Sequence, residues 1–313
     1  MKKIVVAGGG VLGSQIAYQS AYSGFDVTIW LRSEGSITRT QPKLTQLRST
    51  YREALLQMRG AQDGTGPAWC RGLADAGAFD FDESLERAEK AYDRIRLELD
   101  LARAAEDADL IIEAVAEDVP SKIAFYTALA PLLDEKTILV TNSSTLLPSQ
   151  FAEYTGRPEK YLALHFANQI WRNNTAEIMG HAATSPAAFD AVVAFAQAIR
   201  MIPLPLKKEQ PGYILNSMLV PFLDAGLDLL EKGIADPETI DKTWMLGTGA
   251  PAGPFRIMDV IGLTTVYNVL NQHLQHAQSG TPYNYTGMAE LVKQYLDAGK
   301  LGVSSGEGFY KYH

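Results

Sequence analysis

The sequence predicts an α/β protein in which a doubly wound, mainly parallel sheet is followed by an all-helical C-terminal domain. Three observations carry this expectation. Short β-branched runs alternate with helical stretches from Lys3 to Leu206, the pattern of a sheet covered by helices on both faces. A glycine cluster, Gly8-Gly9-Gly10-Val11-Leu12-Gly13, separates the first run from the first helix. From Pro211 the strand signal stops and only helical periodicity remains. The boundary is expected near Lys207, giving domains 1–206 and 207–313.

The opening residues set the frame. Lys3–Ala7 reads as a buried parallel strand. Ser14–Tyr22 has apolar and small residues at helical spacing, Gly24 stops it, and Val27–Leu31 is a second strand. Strand, G-x-G-x-x-G, helix and strand in this order form the Rossmann-type dinucleotide fingerprint. Gly8 makes the tight turn, Gly10 admits the pyrophosphate, and Gly13 lets helix and strand pack closely, with Val11 and Leu12 between them. The helix N-terminus then faces the phosphate charge. An NAD site usually ends its second strand with an acid that holds the ribose 2′-hydroxyl. Here Leu31 takes that place, and Asp26 lies at the wrong end of the strand. Arg32 and Ser33 suit a 2′-phosphate, so NADP is expected ahead of NAD, with Glu34 the residue that would favour NAD.

Further along, Lys43–Arg59 is an amphipathic helix with Leu44, Leu47, Tyr51, Leu55 and Met58 on one face. Arg48, Arg52 and Arg59 form a basic stripe beside it. Residues 60–77 are glycine-rich and expected as a loop tip, and Glu83–Arg94 as a charged helix completing a protruding hairpin. Ile95–Leu99 is a short strand, with Asp100 capping a short helix. Leu110–Val115 is a buried strand, Pro120–Leu133 a helix opened by proline, and Thr137–Val140 a strand running into Thr141-Asn142-Ser143-Ser144. Tyr161–Phe166 and Ala176–Met179 continue the sheet, Pro186–Ile199 is a helix, and the prolines of Met201–Leu206 suit an edge strand. Four helices are expected beyond: Tyr213–Lys232, one from Asp236-Pro237, one from Gly253-Pro254, and Met288–Leu296.

Composition narrows the function. With 46% hydrophobic and 20% charged residues, the chain has the makeup of a soluble globular protein. A net charge of −8 argues against nucleic acid or an anionic membrane as a partner. Cys70 is the one cysteine, which excludes an internal disulfide and a multi-cysteine metal site; no metal is expected. No apolar stretch reaches membrane-spanning length, and the five-residue run after Lys2 is short for a signal peptide. The cytoplasm is the expected compartment.

Chemistry is expected beyond the carboxyl ends of the strands. Asn142-Ser143-Ser144, His165 with Asn168, and Glu117 all lie at such ends. Moving a hydroxyl proton during hydride transfer suits histidine best. Of five histidines, only His165 lies in a strand pattern; His181 is in a loop, His273 and His276 in a polar helical stretch, and His313 is terminal. Glu177, in the next extended segment, is placed to orient His165 and favour its charged form.

Together these pieces resemble the L-3-hydroxyacyl-CoA dehydrogenase family, including its short bacterial 3-hydroxybutyryl-CoA dehydrogenases. The matching motifs are Glu113-Ala114-Val115-Ala116-Glu117-Asp118, Asn142-Ser143-Ser144, His165-Phe166-x-Asn168 with Glu177, and Pro211-Gly212-Tyr213-x-x-Asn216. Gly253-Pro254-Phe255-x-x-x-Asp259 and Gly306-Glu307-Gly308-Phe309-Tyr310 complete a match over essentially the whole length. The resemblance implies that His165 and Glu177 are the catalytic pair and that Ser144 and Asn216 hold the reacting oxygen and the thioester. It places Glu117 and Lys122 against the nicotinamide half of the cofactor, and Asn142 and Asn168 are counted with that site. Arg48 and Arg52, with Arg59, would meet the phosphates of coenzyme A. The implied reaction interconverts (S)-3-hydroxyacyl-CoA and 3-oxoacyl-CoA of short chain, such as 3-hydroxybutyryl-CoA and acetoacetyl-CoA, in a homodimer. Three departures bear on substrate and cofactor: Leu31 for the usual acid, Ser304-Ser305 where lysines are common, and Gln169-Ile170-Trp171-Arg172-Asn173-Asn174 where the family has proline and an apolar run. The last suits a small polar 3-hydroxy acid of the carnitine or gulonate type. A cofactor-binding structural protein, like the crystallin relative of the family, is the reading from another class.

Overall fold

The structure, a computed structural model, describes residues 1–312 other than 62, 63, 65, 67 and 277–281. His313 therefore lies outside the described residues, as do parts of the expected 60–77 loop. Two compact units, Met1–Ile214 and Leu215–His313, divide eight residues later than the expected 206/207 boundary. The reason is Tyr213, which is buried in the first unit and carries residues 207–214 with it.

The first unit holds one sheet of eight strands in the order β3-β2-β1-β4-β5-β6-β7-β8. Its strands are β1 Lys3–Ala7, β2 Asp26–Trp30, β3 Ile95–Glu98, β4 Leu110–Glu113, β5 Ile138–Thr141, β6 Tyr161–Phe166, β7 Thr175–Met179 and β8 Ile202–Leu206. The first six run parallel; β7 is antiparallel to β6, and β8 is parallel to β7. Because β4, β5 and β6 are buried at every position, their sequences read as mainly apolar runs rather than alternation, with Glu113, Thr141 and His165 as the buried polar exceptions. The turn back from β6 to β7 sets His165 directly opposite Glu177 in register.

Helix α1, Val11–Tyr22, follows the glycine cluster. Helix α2 runs Glu34–Arg59, beginning nine residues before the expected Lys43. Proline removes a backbone donor, yet the helix runs through Pro42 from an extended Ser33. Helix α3, Phe81–Arg94, does not protrude as expected. It packs on α1 and α2 through the small buried residues Ser84, Ala88 and Ala91, which permit close approach. The segment before it is also drawn in: Trp69, Cys70 and Leu73 are buried, and the Gly72 N–H donates to the Trp171 carbonyl. Helices α4 (Leu101–Ala105), α5 (Val119–Leu129) and α6 (Pro186–Ala198) are capped by the side chains of Asp100, Asp118 and Ser185.

The second unit contains five described helices rather than the four expected: α7 Leu215–Glu231, α8 Pro237–Thr248, α9 Pro254–Ile261, α10 Leu263–His276 and α11 Tyr285–Asp297. The extra one arises at Gly262, whose φ of +94° splits a continuous helical pattern into α9 and α10. Leu227, Phe255, Met258, Leu270, Met288 and Val292 form its core. The Gly306–Tyr310 motif is held by the buried Asp259, which accepts the Phe309 and Tyr310 N–H groups. No described helix is long and apolar enough to cross a membrane.

Candidate active site and cofactor cleft

The glycine turn has the geometry that its sequence requires. Gly8 sits at φ +127°, and a Cβ there would lie 2.3 Å from the Ala114 carbonyl oxygen. A Cβ on Gly13 would lie 2.2 Å from the Gly8 oxygen, so α1 packs against the turn as only glycine allows. At Gly10 a Cβ would meet nothing within 4 Å: this side is open. The open side is the N-terminus of α1, whose first turn has no acidic residue, so unpaired N–H groups and the helix dipole favour an anion. A cavity of about 650 Å³ extends from Gly8–Gly10 past Leu31 and Arg32. These residues fit a dinucleotide.

At the ribose end, Leu31 is 2% exposed and presents no acid. Arg32, Ser36, Arg39 and Lys43 line the cavity there, with Arg39 Nη2 donating to Ser36 Oγ at 3.0 Å. Ser36 and Arg39 belong to the first turns of α2, which lie before the Lys43 start that the sequence predicts. Val11, the first residue of α1, is exposed, and Ser33 precedes the first turn of α2.

The catalytic candidates converge. His165 is 5% exposed; its Nδ1 lies 3.1 Å from Glu177 Oε2 and its Nε2 lies 3.2 Å from Ser144 Oγ. The other Glu177 oxygen accepts the Ile214 N–H at 2.8 Å. Tyr213 stacks on the imidazole, with centroids 4.5 Å apart and planes 15° apart. Glu177 thus fixes one ring nitrogen, and the other faces the Ser144 hydroxyl.

Behind this trio lies a network that sequence reasoning missed in part. Glu113, expected only as a strand residue, is fully buried. Lys122 Nζ reaches both of its oxygens at 2.7 and 2.8 Å. Tyr126 Oη, Thr141 Oγ1 and the Val115 N–H also donate to it. Lys122 is 1% exposed and reaches Glu117 Oε2 at 3.3 Å, so it is engaged within the protein. Glu117 Oε1 accepts from Ser143 Oγ, the Ser144 N–H, and both the Thr145 N–H and Oγ1. Burial pushes its carboxyl up, but Ser143, Lys122 and Thr145 together bring it below the usual range. Glu117 therefore holds the Ser143–Thr145 loop as an anion. The readable signal for Glu113 was a carboxylate inside an otherwise apolar run.

Other expected residues take different places. Asn142 Oδ1 accepts the Phe166 N–H, and Asn168 Oδ1 accepts from Gln15 Nε2 at 2.7 Å. Arg48 pairs with Glu89, and Arg59 covers the Phe81 ring, so two of the three stripe guanidiniums are used against α3. Arg52 is exposed. Asn173 and Asn174 donate to the carbonyls of Asn168 and Arg200, and Ile170 and Trp171 are buried, while Gln169 and Asn173 are exposed. Asn216 lies in the first turn of α7, in the second unit. Among the described residues no cluster is arranged to hold a metal ion.

A Rossmann-type cleft with a carboxylate-oriented histidine defines a dinucleotide-dependent oxidoreductase. More narrowly, the chain belongs to the 3-hydroxyacyl-CoA dehydrogenase family: residues 3–210 match its NAD-binding domain and 212–312 its C-terminal domain. The 3-hydroxybutyryl-CoA dehydrogenase of Clostridioides difficile is 30% identical over 99% of both chains. The mitochondrial hydroxyacyl-coenzyme A dehydrogenase of Rattus norvegicus is 30% identical over 100% of this chain and 91% of its own. A solved diketoreductase, described as acting on dicarbonyl compounds, is 47% identical over 100% of this chain and 99% of its own, with a TM-score of 0.83.

Proposed function

We propose that the protein interconverts (S)-3-hydroxyacyl and 3-oxoacyl thioesters of coenzyme A with a short acyl chain, acetoacetyl-CoA being the first to try. The observation that carries this is His165 held between Glu177 and Ser144. A bound nicotinamide supplies the hydride for carbon 3. In that direction His165 Nε2 delivers the proton to the 3-oxo oxygen, and Ser144 Oγ holds the same oxygen. Glu177 orients the ring and stabilises its charged form, with the Ile214 N–H fixing the carboxylate. Asn216 is proposed to hold the thioester. This constellation supports catalysis over a purely structural, crystallin-like role.

A second reading keeps the chemistry and drops the coenzyme A handle. A 3-oxoacyl thioester is itself a 1,3-dicarbonyl, as is a small 1,3-diketone. Two observations favour the smaller substrate: the diketoreductase likeness, and the engagement of Arg48 and Arg59 against α3. For the cofactor, Arg32, Ser36 and Arg39 together with the missing acid at Leu31 support NADP over NAD. Exposed Leu246, Ile234 and Val260 on the helical unit support a homodimer.

The test follows oxidation of NADH and of NADPH with acetoacetyl-CoA, free acetoacetate and a small 1,3-diketone. Preference for acetoacetyl-CoA supports the first reading; preference for either free compound supports the second. No turnover of any would overturn both.

A further inference from the structure

We infer that Tyr213 is a positioning residue for the reaction, setting the approach of Ser144 to His165. The inference rests on the proposed role of His165. Three observations place it. Its ring lies nearly parallel to the His165 imidazole at 4.5 Å, covering one face of a ring whose two nitrogens are already engaged by Glu177 and Ser144. Its hydroxyl donates to the Ser143 carbonyl at 2.9 Å, the peptide that leads directly into Ser144. Its backbone sits at φ +55°, a left-handed conformation that is uncommon for an aromatic residue.

That conformation has a use. The preceding Gly212 is at φ +76°, so two successive left-handed residues turn the chain sharply. The turn brings the Tyr213 ring beneath His165 and, one residue on, aims the Ile214 N–H at Glu177 Oε1. One turn therefore touches all three members of the site: the imidazole by stacking, the carboxylate by a backbone donor, and the serine loop by a phenol. Strain that persists at such a place is held by surrounding contacts, and Tyr213 is buried among them. Glu117 holds the same serine loop from its other side through the Ser144 and Thr145 N–H groups. The loop is thus clamped between a carboxylate and a phenol. Releasing the phenol loosens the Ser143 peptide by one hydrogen bond; losing the ring as well lets the site shift, and a displacement near 1 Å in such a geometry costs roughly a hundredfold in rate.

The experiment compares Tyr213→Phe and Tyr213→Leu with wild type, and with His165→Ala as control. Substrates are acetoacetyl-CoA and free acetoacetate. Tyr213→Phe keeps the stack and loses the hydroxyl, so kcat should fall about three- to tenfold, the size of one lost neutral hydrogen bond. Tyr213→Leu loses both, and kcat should fall about a hundredfold. KM and cofactor affinity, the latter by fluorescence titration with NADPH and NADH, should stay within about twofold in both variants, because a positioning contact acts on the chemical step. The split between a lowered kcat and an unchanged KM is a readout that lost folding would not give.

A further readout needs no substrate. Modification of His165 by diethyl pyrocarbonate, followed by mass spectrometry, should be faster in Tyr213→Leu than in wild type, with Tyr213→Phe close to wild type. Folding is checked by circular dichroism. A folded Tyr213→Leu with wild-type kcat, or with His165 labelled at the wild-type rate, would overturn the inference. Full turnover by His165→Ala would instead remove the functional reading on which it rests.

Discussion

Replacing Lys122 by Met tests the buried network most sharply. Methionine nearly preserves the side-chain volume, so packing changes little and the loss is electrostatic. Glu113 is left fully buried without its cation, which had reached both oxygens at 2.7 and 2.8 Å. Breaking a buried ion pair from one side typically costs about 3–5 kcal/mol. Three donors remain on Glu113, from Val115, Tyr126 and Thr141 at 2.7–2.8 Å, which puts the expectation at the lower end, about 3 kcal/mol. At roughly 2–4 °C per kcal/mol for a unit of this size, the melting temperature should drop about 6–12 °C. Part of the penalty is escaped when the carboxyl takes up a proton, so the deficit should grow as pH rises. Adding Glu113→Gln removes the stranded charge. The Tyr126 and Thr141 hydroxyls can rotate to accept from the new amide, so the double variant should recover at least half of the loss. Thermal denaturation followed by circular dichroism at pH 6 and pH 8 measures all of this. A single variant within about 2 °C of wild type, or a double variant less stable than the single, would refute the assignment of Lys122 as the cation that makes Glu113 tolerable.

The other predictions concern catalysis, cofactor and acid stability. His165→Ala should lower kcat by about 10²–10⁴, and Glu177→Gln should lower it as well, since the carboxylate no longer holds Nδ1 of the imidazole. Because the two side chains act as one unit, the double variant should be little worse than His165→Ala in single-turnover measurements; additive losses would give them separate roles. Arg32→Ala should weaken NADPH by roughly ten- to hundredfold and leave NADH nearly unchanged, the size of one charge-assisted phosphate contact. Equal losses for both cofactors, or a wild type that prefers NADH, would argue against a 2′-phosphate site. At the other end of β1, Asp109 is held at about 2: burial opposes this, but the Lys2 and Lys3 N–H groups and Lys136 outweigh it. A depressed carboxyl gives stability that is present above its ordinary value near 3.8 and lost as pH falls towards about 2. Asp109→Asn should therefore lower the melting temperature at neutral pH, and the gap should close across that interval; a gap independent of pH would refute this.

Much of the fold is legible in local sequence because its signals are local. The glycine spacing, the apolar strands and the Asp-Pro and Gly-Pro helix starts depend on neighbours in the chain, so the order of elements is readable, and with it the placing of His165 and Ser144 at strand ends. The strand pattern also brings Glu177 near His165, yet only the antiparallel register of β6 and β7 makes them direct partners. Other features depend on partners far away. Pro42 stays inside a helix, and α3 lies down on α1 and α2, because tertiary packing outweighs local preference. A glutamate in an apolar strand is tolerable only where Lys122, nine residues on, returns to neutralise it. Arg48 reads as a free cation until Glu89 stands beside it. Charge and motif spacing belong to the sequence; which charges are already satisfied, and which remain for a ligand, is decided by the tertiary structure, because pairing and desolvation act across distances the chain order does not record.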